Sequence, residues 1–196
     1  MLNITGIGNS KVMFQKIFSD LGVSNQLVDY NDFINNHYTG IVFYDGLMFD
    51  LGMNLAKQCK NSIIVFIEPK SVFVSGSLIA SPKNNDNYIC GECSLRSMKN
   101  QLFKLSLFDT IFHRTDYKVV GEEFTMEFRH LASILKDKLF SNEIFALEYN
   151  LHTSLYKEIE VSGLTKCKSC DNNYYSQDKL QDELSYLFKE GIDNDI

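Results

Sequence analysis

The sequence has no tryptophan, only two prolines, and no apolar run near the roughly 18 residues that a membrane-spanning helix needs. Its first residues lack a basic stretch followed by an apolar one, which excludes a secretory signal peptide. Cytoplasm is therefore the expected location. The 196 residues suffice for one well-buried domain and are few for two.

Clustered positive charge is also missing. The chain carries 19 basic and 25 acidic residues, a net charge of −6 at pH 7. Nucleic acids and anionic membranes bind surfaces rich in lysine and arginine, so neither is an expected partner. The motifs G-x-S-x-G, H-E-x-x-H and Walker A do not occur, and the four histidines are scattered. The sequence therefore identifies no catalytic residue.

What the sequence does have is a series of apolar runs separated by helical stretches. Residues 41–44 and 63–67 are continuous apolar runs, and residues 12–21 and 47–60 carry apolar side chains at three- and four-residue spacing. Alternation of this kind is typical of an α/β fold with a parallel sheet covered on both faces.

The pattern then changes, and it suggests how a single domain over residues 1–196 is organised. A Rossmann-like half is predicted over residues 1–80, ending in a β-ribbon with a bend at Gly76. A second half, residues 81–175, contains two cysteine pairs, further helices and two further strands. Residues 176–196 are predicted to form a last amphipathic helix and a tail.

The cysteines carry the most specific chemical signal. Two C-x-x-C units are present, and four thiolates complete the tetrahedral shell that structural Zn²⁺ prefers. The sequence thus predicts one structural zinc ion per chain, which would join two distant segments. The alternatives are reduced buried cysteines and a redox pair, the latter disfavoured because neither unit is expected to open a helix directly after a strand. The four predicted ligands are Cys90, Cys93, Cys167 and Cys170.

A glycine-containing turn between the first strand and the first helix resembles a nucleotide loop in part. Gly6 and Gly8 fit the pattern G-x-G-x-x-G, but Lys11 stands where the third glycine belongs. Asp29 lies near the spacing of a ribose-binding carboxylate, although its neighbours indicate a plain turn. A degenerate nucleotide site is the favoured interpretation, and phosphate contact by Lys11 is the alternative.

The order of these segments resembles the ThiF-like activating-enzyme superfamily, and within it the Ocin-ThiF-like partner proteins of YcaO cyclodehydratases, which serve thiazole/oxazole-modified microcin, bacteriocin and thiopeptide biosynthesis. The resemblance rests on the strand at residues 62–67, the ribbon at 72–76, the first C-x-x-C at 89–96 and the second at 164–170. It covers most of the chain from about residue 3 to residue 170. It implies a Rossmann-like, ThiF-type fold.

The resemblance also implies a function. In that family ATP is consumed by a separate YcaO-type subunit, and the ThiF-like protein presents the precursor peptide, often through an N-terminal winged-helix element. Here the sequence opens on the Rossmann-like strand, so we expect that element to be absent and the leader peptide to use another surface. An open strand edge at Val72, Phe73, Val74 and Ser75 is the predicted docking place, because an unpaired edge can accept a peptide strand.

The expected function is therefore a non-catalytic scaffold that binds a precursor peptide, with a YcaO-type cyclodehydratase and an FMN dehydrogenase as partners and a homodimer as its family's frequent form. Two alternatives stay open. An active adenylating enzyme would use Gly6, Gly8 and Lys11 on the phosphates of ATP, and a zinc-stabilised interaction module would serve some other process.

Overall fold

A computed structural model describes residues 1–79, 89–102, 124–139, 141 and 144–161 of the chain. The chain forms two compact units, Met1–Leu164 and Thr165–Ile196, and the second lies outside the described residues. The predicted helix after residue 176 therefore lies outside them as well. The elements of the first unit are, in chain order, β1 (Leu2–Ile7), α1 (Ser10–Asp20), β2 (Asn25–Leu27), α2 (Tyr30–Asn35), β3 (Gly40–Asp45), α3 (Phe49–Gln58), β4 (Ser62–Ile67), β5 (Ser71–Gly76), α4 (Gly91–Leu102), α5 (Thr125–Lys138), β6 (Phe145–Asn150) and β7 (Leu155–Glu158).

All seven strands belong to one mixed sheet with the order β2-β1-β3-β4-β5-β6-β7. The first four strands run parallel, and β5, β6 and β7 are added in antiparallel pairs. Parallel neighbours need crossover connections, and α1 and α3 supply them. The predicted α/β class is confirmed, although the sheet is mixed rather than parallel throughout.

Helices cover both faces of the sheet, which explains why every residue of β3 and β4 is buried. On one face, Phe14 of α1 stacks on Phe43 of β3 at 4.5 Å between ring centroids and meets Phe128 of α5 at 5.4 Å. On the other face, Phe66 of β4 stacks on Tyr44 at 5.5 Å. Alternate residues of the same strand therefore stabilise two separate cores.

Most of the predicted elements are present at nearly their predicted bounds, but one helix was missed. Residues 30–32, interpreted as a turn, begin α2 instead, and Asp29 directly precedes it. The carboxylate of Asp29 accepts hydrogen bonds from the backbone N–H groups of Asn31, at 2.8 Å, and Asp32, at 3.3 Å. This carboxylate caps a helix N-terminus, which is a common use of aspartate. No helix among the described residues is both long and apolar enough to cross a membrane.

Candidate functional site

The glycine turn lies at the point where the strand order reverses. β1 has β2 on one side and β3 on the other, and ligands of open α/β folds bind at such a crevice, beyond the carboxyl ends of the strands. Gly8 has φ +107°, a conformation that other residues rarely adopt. A Cβ at this position would lie within 3.0 Å of three atoms of the Asp45 side chain. Glycine here therefore serves a close approach to Asp45.

Asp45, the last residue of β3, places its carboxylate in this turn. Its Oδ2 accepts a hydrogen bond of 2.7 Å from the backbone N–H of Asn9, the residue that precedes α1. The start of a helix and its preceding loop are where Rossmann-type proteins hold phosphate groups. In this chain an internal carboxylate accepts the N–H at the corresponding place in the fold.

The second oxygen of the same carboxylate, Oδ1, is buried and has no hydrogen-bond partner among the described residues. The Asp45 residue as a whole is only 9% exposed. A buried acceptor without a donor costs free energy. Among the described residues, the hydrogen bond from Asn9 to Oδ2 is therefore the contact that can offset part of this cost.

The other residues considered for nucleotide binding also have internal roles. The Lys11 ammonium, in the first turn of α1, donates a hydrogen bond of 2.7 Å to the backbone carbonyl of Gly6 in β1. Asp29 caps α2. The Lys11 ammonium and the Gly6 carbonyl are therefore bonded to each other, whereas the alternative interpretation would direct Lys11 to a phosphate.

Sequence reasoning missed both carboxylates at this edge of the sheet. Glu68 directly follows β4, as Asp45 closes β3, and each acid comes after a buried apolar run. Burial raises the pKa of the Glu68 carboxyl, and a hydrogen bond from the backbone of Leu47 lowers it in part. An acid at the carboxyl end of a predicted parallel strand was the available signal.

The first cysteine pair brackets the start of α4. Cys90 precedes the helix and its carbonyl accepts the N–H of Ser94 at 3.0 Å, while Cys93 lies in the first turn, and both cysteines are buried. This pair does open a helix, but α4 begins 15 residues after the end of β5 and not directly after a strand. Burial now opposes the redox interpretation, because reactive cysteines are accessible ones.

Charged and polar contacts fix the same helix end against its neighbours. The buried Glu92 carboxylate pairs with Arg96 at 2.7 Å and lies 3.9 Å from the ammonium of Lys57 on α3. The hydroxyls of Ser94 and Ser75 share a buried hydrogen bond of 2.6 Å, which joins α4 to β5. The position of the two cysteines is thus determined by packing against both α3 and the sheet.

The predicted zinc site is only half within the described residues. Cys167 and Cys170 lie outside them, so the structure does not test whether the two pairs converge. The described residues contain no group of three or more His, Cys, Asp or Glu side chains that could hold a metal ion. The four-thiolate site stays a prediction.

The predicted peptide-docking edge is corrected by the structure. Val72, Phe73, Val74 and Ser75 lie in β5, which pairs with β4 on one side and β6 on the other. All four residues are buried, so this strand offers no edge to a peptide. The local pattern of a strand could not reveal that β6, about 70 residues later in the chain, would pair with it.

β7 is an edge strand of the sheet among the described residues. It pairs with β6 alone there, and all four of its residues are exposed. Leu155 is 70% and Tyr156 48% exposed, which is unusual for large side chains in a strand. Ile159 donates its N–H to the Ala146 carbonyl of β6 at 2.8 Å. In an antiparallel pair every second residue of a strand bonds to its neighbour, so the N–H groups of Tyr156 and Glu158 point away from β6.

Comparison with known proteins identifies no family for this chain. No family model matches the sequence, and no curated protein matches it. Among solved structures, one described as "Structure of the heterocyclase TruD" is similar with a TM-score of 0.48 and 12% sequence identity. The match covers 87% of this chain but 27% of that one, so this chain spans about a quarter of its length. A likeness at this level establishes neither a family nor an activity.

Proposed function

We propose that this chain is a non-catalytic partner protein that binds a ribosomal precursor peptide, through its leader segment, and presents it to a YcaO-type cyclodehydratase for thiazoline or oxazoline formation. The proposal rests on the resemblance found in the sequence and on the order of the elements that carry it. The resemblance implies a certain order of elements, and the chain has them in that order: β4, then the antiparallel β5 ending at Gly76, then the C-x-x-C at the start of α4. An FMN dehydrogenase would oxidise the heterocycles.

The observation that carries peptide binding is the exposed edge strand β7. A peptide added in extended form would accept hydrogen bonds from the outward N–H groups of Tyr156 and Glu158. Side chains of a strand alternate between the two faces of a sheet, so Leu155 and Lys157 would contact the peptide on one face and Tyr156 on the other. β7 thereby replaces β5 as the proposed docking edge.

The second candidate, an ATP-dependent adenylating enzyme, is disfavoured by one specific contact. The Asp45 carboxylate accepts the Asn9 N–H that a phosphate would need, and its negative charge would repel the phosphates of ATP. In the proposed complex ATP is handled by the YcaO-type subunit, and this chain needs no nucleotide.

A binding measurement tests the peptide proposal. The purified chain is titrated into a fluorescently labelled precursor peptide encoded beside its gene, with and without the YcaO-type partner. We expect saturable binding that Glu158→Pro weakens about tenfold, because proline removes an outward N–H and blocks the edge. Glu158→Ala is the matched control, since it also loses the ion pair with Lys138 but keeps the N–H.

Two results would count against this proposal. Equal peptide affinity in the proline and alanine variants would exclude β7 as the docking edge. An absence of binding both to the peptide and to the partner would exclude the scaffold function itself.

The cysteines extend the proposal to a structural zinc ion held by Cys90, Cys93, Cys167 and Cys170. The two described thiols fit such a site: they are buried, three residues apart, and at the start of a helix, whose N-terminus stabilises thiolates. The ion would supply no chemistry beyond joining the two segments.

Elemental analysis tests the zinc site. About one zinc per chain is expected, and Cys90→Ser should lower both the metal content and the stability to urea, because metal binding is coupled to folding. Cys59→Ser is the control, since Cys59 is equally buried but lies outside both pairs. A folded chain without metal, or equal zinc loss in both variants, would contradict the site.

A further inference from the structure

The glycine loop between β1 and α1 has the form of an anion site that already contains an anion. The loop presents a backbone N–H at the start of a helix of 11 residues, and the group that accepts this N–H belongs to the protein. Gly8 leaves no room for a Cβ beside the Asp45 side chain, and glycines of nucleotide loops likewise allow a close approach of the backbone to a phosphate.

A second observation concerns the other oxygen of that carboxylate. Asp45 is more than nine-tenths buried and Oδ1 has no hydrogen-bond partner among the described residues. A residue selected only to cap a helix would satisfy its oxygens in solvent, as the exposed Asp29 does at α2. Asp45 instead lies in a crevice where, among the described residues, Oδ2 has a donor, the Asn9 N–H, and Oδ1 has none.

From this geometry we infer that Asp45 is an internal replacement for a phosphate group, and that its carboxylate closes a latent site for phosphate or pyrophosphate between β1 and β3. Removal of the carboxylate frees the Asn9 N–H and the space beside Gly8. Lys11, in the first turn of α1, supplies a cation that donates a hydrogen bond to the backbone carbonyl of Gly6.

The test is calorimetric titration of inorganic pyrophosphate into the wild-type chain, Asp45→Ser and Asp45→Asn. The wild type should show no saturable binding at millimolar concentration. Asp45→Ser should bind with an affinity at least about tenfold above the wild-type limit, since a like charge about 4 Å away weakens binding by orders of magnitude. Lys11→Ala in the Asp45→Ser background should reduce the gained affinity.

Asp29→Asn is the matched control, because it removes the same charge from another carboxylate that accepts backbone N–H groups at a helix start. Asp45→Asn keeps the shape of the side chain, so it decides the question if Asp45→Ser fails to fold. It should gain affinity as well, though less, since its amide oxygen can still accept the Asn9 N–H.

Three outcomes would overturn the inference: binding by the wild type as tight as by Asp45→Ser, an equal gain in Asp29→Asn, or no gain in any folded variant at position 45. The titration uses neither peptide nor partner protein. Its result is therefore independent of the proposed scaffold function.

Discussion

Substitution of Gly8 by alanine should be among the most damaging single changes in the β1–α1 region. The backbone at Gly8 has φ +107°, and an alanine forced into such a conformation costs about 1–3 kcal/mol. The new Cβ would also displace the Asp45 side chain and break its hydrogen bond with Asn9, a charge-assisted bond worth about 1.5–3 kcal/mol. The two effects together predict a loss of about 2.5–6 kcal/mol.

A second glycine separates the two contributions. Gly22, just beyond α1, has φ +76°, but a Cβ built there meets no atom within 4 Å. Gly22→Ala should therefore show strain alone, about 1 kcal/mol. Urea unfolding followed by circular dichroism gives both free energies, provided the slope with denaturant is unchanged.

A double-mutant cycle then tests the cause. In Gly8→Ala/Asp45→Ser both carboxylate oxygens are removed, and the smaller serine side chain can turn away from the new Cβ. The double variant should therefore be at least about 1 kcal/mol more stable than the sum of the single effects predicts. Additive effects would refute the assignment of the cost to Asp45. So would equal losses at Gly8 and Gly22.

Three further outcomes follow from single contacts. Gly91→Ala should stabilise the chain by about 0.5–1 kcal/mol in urea unfolding, because alanine restricts the unfolded chain and its Cβ would make an ordinary contact with Ala56 at 3.6 Å. Destabilisation would show that the start of α4 needs glycine. Ser94→Ala should lower the free energy of unfolding by about 1–3 kcal/mol, because it leaves the buried Ser75 hydroxyl without its partner. The double variant Ser75→Ala/Ser94→Ala should recover part of that loss. No recovery would exclude the hydroxyl pair as the cause. Burial raises the pKa of Glu68, so the folded state holds the proton of this carboxyl more tightly than the unfolded state does, and the free energy of unfolding falls as pH rises above about 4.5. Glu68→Gln should make the free energy of unfolding depend less on pH in this range. An unchanged pH dependence would contradict the assignment to Glu68.

The sequence was sufficient to predict elements whose residues are all buried. The apolar runs that form β3 and β4 contain no polar residue that would interrupt the pattern, because helices cover both faces of these strands. α2 was missed because it is short, with only Phe33 buried, and its start depends on the side chain of Asp29. A six-residue helix leaves little periodicity to detect.

The candidate sites were harder to predict because they depend on contacts between distant segments. Asp45 meets the glycine turn 36 residues earlier, and nothing in the local sequence indicates that its carboxylate points there. Likewise, the local sequence of β5 predicts an exposed ribbon, whereas in the structure β6 pairs with this strand. The first thiol pair was recognisable from its spacing alone, and the helical pattern that follows it corresponds to α4.

α4 physically connects the two regions to which this protein's proposed functions are assigned. Its first turn contains Cys93, and near its other end the Gln101 side chain donates a hydrogen bond of 2.6 Å to the carbonyl of Glu160, two residues beyond β7. A helix of 12 residues is about 18 Å long and stiff along its axis. A chelator that loosens the cysteine end should consequently alter how firmly the outermost strand is held, and with it the affinity for an added peptide.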